Sequence, residues 1–177
     1  MKRFYLALYF IVALVAFAMW SGQARAQGGF EQLTGDTLDK ALPKDFYLEG
    51  NAIPTEKRNA ALLKTPEGAR VLLALIDTTG YSSQIKQKYS GMIISEGKLS
   101  VCGQALGVGS YGFGLEKPAA TSNADATLFV YDQGGGKVAE CAAKKDTKIA
   151  QPKPLRVVLG MGGPAKLYLG RYAVELQ

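Results

Sequence analysis

YSGMIISEGKLSVCGQALGVGSYGFGL, residues 89–115, reads as a strand, a tight turn, a second strand, another turn and a third strand. Met92-Ile93-Ile94 runs into Glu96-Gly97, which has the composition of a two-residue hairpin turn, and Lys98–Cys102 returns. On that return Leu99 and Val101 point one way, and Ser100 and Cys102 the other. Tyr111, Phe113 and Leu115 then alternate with Ser110, Gly112 and Gly114, the period of two that a half-buried strand requires.

The same punctuation continues on both sides. Phe46–Asn51 predicts a strand with Phe46 and Leu48 on one face and Tyr47 and Glu49 on the other, ended by Pro54. TEKRNAALLK, residues 55–64, suits either a helix or a strand. Thr65-Pro66-Glu67-Gly68 favours the strand, because proline second and glycine fourth make a type I turn between segments 58–64 and 69–77. Val71–Ile76 is a continuous apolar run, which predicts a strand buried on both faces. Thr78–Ser83 reads as a polar loop, followed by a short QIKQKY segment. Downstream, 127–131 and 137–142 flank Asp132–Gly136, and 155–159 and 166–176 flank GMGGPA. About nine strands with turn signals roughly every ten residues predict an all-β chain, an antiparallel β-sandwich or small barrel.

The N-terminus has a different logic. Lys2 and Arg3 precede an apolar run, Phe4–Trp20, and then Ala24-Arg25-Ala26, the pattern of a secretory signal peptide cut after Ala26. The alternative is an uncleaved anchor, since such a run spans about 26 Å as a helix against a hydrocarbon core of about 30 Å. The expected organisation is a leader over 1–26, an arm over 27–45 and a single β domain over 46–177. Residues 27–33 read as loosely held. Asp36 or Thr37 would cap a short helix, Leu38–Leu42, that Pro43 stops. A periplasmic or secreted location follows, with membrane contact only through an uncleaved leader.

Losing Lys2, Arg3 and Arg25 with the leader lowers the formal net charge from +6 to +3. Along the chain the other basic residues are scattered apart from Lys144-Lys145, with no aromatic-interleaved basic stripe, so nucleic acid is not an expected partner. Two cysteines in an exported chain most simply form one disulfide, Cys102 to Cys141, and neither lies in a C-x-x-C motif.

No histidine occurs anywhere. Ser-His-Asp and Cys-His catalysis and histidine-ligated metal sites are thereby excluded, and no cofactor or metal is expected. A carboxylate hydrolase would have to draw on Glu49, Asp77, Glu96 or Glu140, all at strand ends and turns where charge normally faces water. Ser82 or Ser83 with Lys86 or Lys88 has the composition of a nucleophile–base pair, in a segment polar enough to be plain surface. Gly107–Gly114 contains G-x-G-x-x-G, but no helix follows to hold a phosphate, so these glycines read as bends or close approaches between strands.

KLSVCGQALGVGSYGFGL resembles a V-x-V-x-G-x-x-L-x-x-G-x-Y-x-F pattern of small exported bacterial β-sandwich proteins. The matching residues are Val101, Gly103, Leu106, Gly109, Tyr111 and Phe113. The resemblance implies architecture and carries no activity. The expected function is a non-enzymatic exported binding or envelope-interaction module, its partner an envelope protein, a glycan or a small ligand. Tyr81, Ser82, Ser83 and Tyr89 are the candidate ligand-binding residues. Two alternatives stay open: a hydrolase or hydrolase inhibitor with a carboxylate site, and a lipocalin-like barrel with 71–76 and 129–131 lining an apolar pocket.

Overall fold

A computed structural model of the chain describes residues 29–119, 124–161 and 163–177, so the expected leader lies outside the described residues. Strands take up 53% of the described residues and helix 8%, in an antiparallel sheet curled into a half-barrel. Thirteen strands are present among the described residues, where about nine were expected. Three two-residue turns set strand ends that differ from the expected ones: two lie inside segments that read as continuous strand, and one, at the turn expected after residues 98–102, leads straight into an additional short strand.

The first is Glu49-Gly50, with φ of 48° and 76°, joining β2 (Asp45–Leu48) to β3 (Asn51–Lys64). Both residues are left-handed, as a type I′ hairpin turn demands. Pro54 therefore does not end a strand but lies within β3, opposite Asp45. Its missing donor is tolerated because it falls just past the end of β4, where its carbonyl still accepts the Asp77 N–H at 2.8 Å. The second turn, Cys102-Gly103, joins β6 (Leu99–Val101) to β7 (Gln104–Leu106). The third, Gly170-Arg171, splits the expected last strand into β12 (Ala165–Leu169) and β13 (Tyr172–Leu176).

The Thr65–Gly68 turn forms as read, with the Gly68 N–H donating to Thr65 O at 2.9 Å, and β4 (Arg70–Ile76) returns along β3. The Glu96-Gly97 hairpin does not form. β5 (Gly91–Ser95) instead pairs with β4 and with β8 (Gly109–Glu116), while β6 leaves for β7 and β13. A buried strand such as β5 needs partners on both edges, and β8 supplies the second one from fourteen or more positions away. β9 (Ala126–Asp132) and β10 (Lys137–Lys145) form the expected hairpin, and β11 (Arg156–Val158) pairs with β12. The main path runs β1-β3-β4-β5-β8-β9-β10-β13-β12-β11. Here β1 (Glu31–Leu33) is a paired edge strand on β3 and not a loose arm.

Alternation along β4 shows how the core is arranged. Val71 and Leu73 point into the curl, where they pack with Ile93, Phe113, Leu128, Leu167 and Leu176. Leu72, Ala74 and Ile76 point outward into a second core with Phe46, Leu48, Ile53, Met92 and Tyr89. Two short helices help to cover that outer core: α1 (Asp36–Ala41) and α2 (Ser83–Lys88). The α1 helix is capped by Gly35 and not by a side chain of Asp36 or Thr37.

Candidate functional site

The loop Thr78–Ser83 is braced by its own hydrogen bonds. The Asp77 carboxylate accepts from the Thr79 N–H at 3.0 Å and from its hydroxyl, and these bonds hold it below the usual aspartate range. The Tyr81 N–H donates to Thr78 O at 3.0 Å, and its hydroxyl donates to the Ala52 carbonyl. Ser82 is the N-cap of α2, accepting the Ile85 N–H at 3.3 Å, and Ser83 is the first, exposed residue of that helix. Tyr89 is buried in the outer core.

Tyr89 belongs to a charged cluster where three segments meet. Glu49 comes from the β2–β3 turn, Lys88 and Tyr89 from the end of α2, and Tyr131 from β9. Lys88 Nζ pairs with Glu49 Oε1, donates to Gly135 O at 2.8 Å and sits 4.8 Å from the Tyr131 ring centroid. The Tyr89 hydroxyl donates to the same Glu49 oxygen at 2.7 Å, and its ring meets Tyr131 edge-on at 5.4 Å. The Lys88 and Tyr89 hydrogen bonds hold the Glu49 carboxyl below its ordinary range, against a smaller opposing effect of burial. Burial first, and then the Glu49 hydrogen bond, push the Tyr89 phenol above the tyrosine range. An ionised carboxylate and a firmly protonated phenol make a structural clamp. They are not poised to exchange protons near neutral pH.

The glycines of β8 make room for this clamp. A Cβ on Gly114 would stand 2.0 Å from Lys88 O, and one on Gly112 would stand 2.7 Å from the Tyr89 ring. The G-x-G-x-x-G spacing thus ends in a close approach of the α2 terminus to the sheet.

The other acidic candidates lie with separate partners. Glu96 is bidentate to Arg70, whose guanidinium holds it below the usual glutamate range, and Glu140 pairs with Lys137. No group of three or more Cys, Asp or Glu is placed to hold a metal among the described residues.

Cys102 and Cys141 are paired, with their Cα atoms 6.2 Å apart. Beside them the Gln104 amide acts as a one-residue strand. Its Nε2 donates to Glu140 O at 2.8 Å, and its Oε1 accepts the Glu140 N–H at 3.1 Å. Together they fasten the β6–β7 hairpin to the edge of β10. Nothing local in the sequence marks Gln104 for this task.

Of the open surface, a cleft of about 410 Å³ lies between α1 and the outer face of β3–β5. Leu62, Leu72 and Ile94 form its floor, and Asp36, Lys40, Arg70 and Glu96 stand around it. None of Tyr81, Ser82, Ser83 or Tyr89 lines it. Its residues come from four separate segments, and only the pairing of β3, β4 and β5 brings them together. Compared with known proteins, the chain matches no family model, no curated protein and no solved structure.

Proposed function

We propose that the chain is a non-enzymatic exported binding module, periplasmic or secreted, that holds a partner at the cleft beside α1. The observation that carries this is the cleft itself: an apolar floor ringed by both signs of charge, the make-up of a recognition site. The signal-peptide pattern and the cysteine pair supply the exported setting. A carboxylate hydrolase needs two carboxyls roughly 5–10 Å apart over one cleft. Glu49, Asp77, Glu96 and Glu140 are each bonded to a different basic or hydroxyl partner, which gives the binding function precedence. For the barrel reading, Val71, Leu73 and Val130 belong to the buried inner core, while Leu72 and Tyr131 face the outer one.

A photo-crosslinking residue at Thr37, on the cleft wall, tests the proposal against the same residue at Gln87 on α2. Incubated with an envelope fraction, the Thr37 protein is expected to form a discrete adduct. Excess wild type should compete it away and an Ile94→Glu protein should not. Equal labelling from Gln87, or competition by Ile94→Glu, overturns the assignment of the cleft.

A further inference from the structure

Residues 144–171 contain seven basic side chains and one acidic one, Asp146, a net +6 equal to that of the whole chain. Already close in sequence, these charges lie on β10, β11, β12, the segments joining them and the Gly170-Arg171 turn. The strand register gives the detail. Arg156 lies opposite Tyr168, Tyr168 opposite Ala173, and Ala173 opposite Lys144, so all four share one face. Val158, Lys166 and Glu175 form the next row on that face. Val157, Leu167 and Val174, between the rows, point into the inner core, so Arg156 and Lys166 stand on the outside.

Lys148, Lys153, Arg156 and Lys166 are exposed, and none has a carboxylate within ion-pair distance among the described residues. A second observation stands beside this one. The β11–β12 connection carries Leu159, exposed at 37%, and Met161, fully exposed. Apolar side chains at a loop tip next to unpaired cations are the make-up of a peripheral membrane contact. The cations meet phosphate headgroups while the apolar tip enters the acyl boundary.

We infer that the outer face of the β11–β12 hairpin, with its Leu159–Met161 tip, docks on a bilayer of anionic lipid. The tip is what selects lipid over a soluble polyanion, which offers apolar side chains nothing to enter. This surface lies apart from the α1 cleft and does not depend on what that cleft binds. It also adds to the sequence expectation, in which a membrane is touched only through the leader.

The test uses the exported protein, its N-terminus read by mass spectrometry, in co-sedimentation with two kinds of vesicle. One is phosphatidylglycerol and phosphatidylcholine in equal parts, and the other is phosphatidylcholine alone. The readout is the ratio of the two partition coefficients, so any retained apolar leader contributes to both. A marked preference for the anionic vesicles is expected, falling steeply with added salt. At about 1 kcal/mol per cation, roughly fivefold each, Arg156→Gln with Lys166→Gln lowers anionic partition about 25-fold. Lys44→Gln with Lys86→Gln, equal in charge but on the helix-covered side, should leave it nearly unchanged. Met161→Ser should weaken anionic partition about tenfold, as expected for withdrawing one buried methionine. Equal loss in the Lys44/Lys86 protein, no preference for anionic vesicles, or binding to soluble polygalacturonate that vesicles cannot compete would each overturn the inference.

Discussion

Replacing Gly114 by alanine tests the packing argument at its tightest point. The new methyl would stand 2.0 Å from the Lys88 carbonyl oxygen and 3.1 Å from its carbon. The obstacle is backbone, so no rotamer change relieves it. Gly114 sits in the middle of β8, bonded on one side to β9 and close to the β5 pairing on the other, so the strand cannot retreat. The end of α2 has to move instead, and it carries Lys88 and Tyr89 with it. Overpacking typically costs about 1–3 kcal/mol. Loss of the Glu49 contacts places this case near the top of that range, about 3 kcal/mol. At about 2–4 °C per kcal/mol for a domain of this size, the thermal midpoint should fall about 6–12 °C. Gly103→Ala is the internal comparison. There φ is 79° with open space around the Cβ position, so only the left-handed penalty of about 1–2 kcal/mol applies. Circular dichroism melts of both proteins decide the matter. If Gly114→Ala melts within 2 °C of wild type, or above Gly103→Ala, the close approach of α2 to β8 is wrong.

Two further predictions concern the clamp and the disulfide. Glu49 has a lowered pKa in the fold, so its contribution is full above the ordinary glutamate value of about 4.3 and fades as pH falls through the lowered one. Tyr89 is raised, so its contribution is full below about pH 10 and fades as pH rises beyond it. Glu49→Gln should therefore cost about 1–2 kcal/mol at pH 7 and much less at pH 3, read as urea midpoints; an equal loss at both pH values would count against the clamp. The bond between Cys102 and Cys141 spans 39 positions, for which chain entropy gives about 4 kcal/mol, and engineered losses usually run about 2–5 kcal/mol. Because Cys102 sits at a φ of 53°, Cys102→Gly with Cys141→Ala should lose about 1 kcal/mol less than Cys102→Ala with Cys141→Ala. Denaturant curves of the two double variants check both statements, and identical curves would refute the second.

What could be read from the chain was whatever is set within a few residues. Thr65–Gly68 specifies its own turn, and the β3–β4 hairpin followed from it. The apolar run Val71–Ile76 pointed to burial on both faces, and each face has its own core. The failures come from choices made at long range. Glu96-Gly97 has hairpin composition, yet β5 pairs with β8, because a partner strand able to cover its second edge arrives only later. Glu49-Gly50 and Gly170-Arg171 were hidden inside alternating segments whose polar members looked like solvent-facing strand residues. α2 was missed because QIKQK offers one apolar position, Ile85, and too little length for a helical period to show. The cleft residues, from Asp36 to Glu96, share no motif at all. The basic excess over 144–171 was present as composition, but it became a surface only once the register put Arg156 and Lys166 on one face.

The two halves of the curled sheet are built differently, and this decides where function has room. Through β3, β4 and β5 the sheet carries a core on both faces, since β2, α1, α2 and Tyr89 cover the outside. Any ligand there has to use the seams of the covering layer, and the α1 cleft is such a seam. Through β10, β13, β12 and β11 only the inner face is packed, and the outer face shows Lys144, Lys166, Glu175 and Arg156 to solvent. A single layer of sheet is stable there because the β6–β7 hairpin, the cysteine pair and the Gln104 amide brace its edge. The bracing therefore does more than add stability: it lets half the sheet stand without a covering layer and keep its charged face open. Gln104→Ala, which leaves every outer-face residue in place, should accordingly lower stability by about 1 kcal/mol without altering vesicle binding at temperatures where the fold is intact. Loss of vesicle binding in a still-folded Gln104→Ala protein would show that the outer face depends on this edge for its shape and not only for its stability.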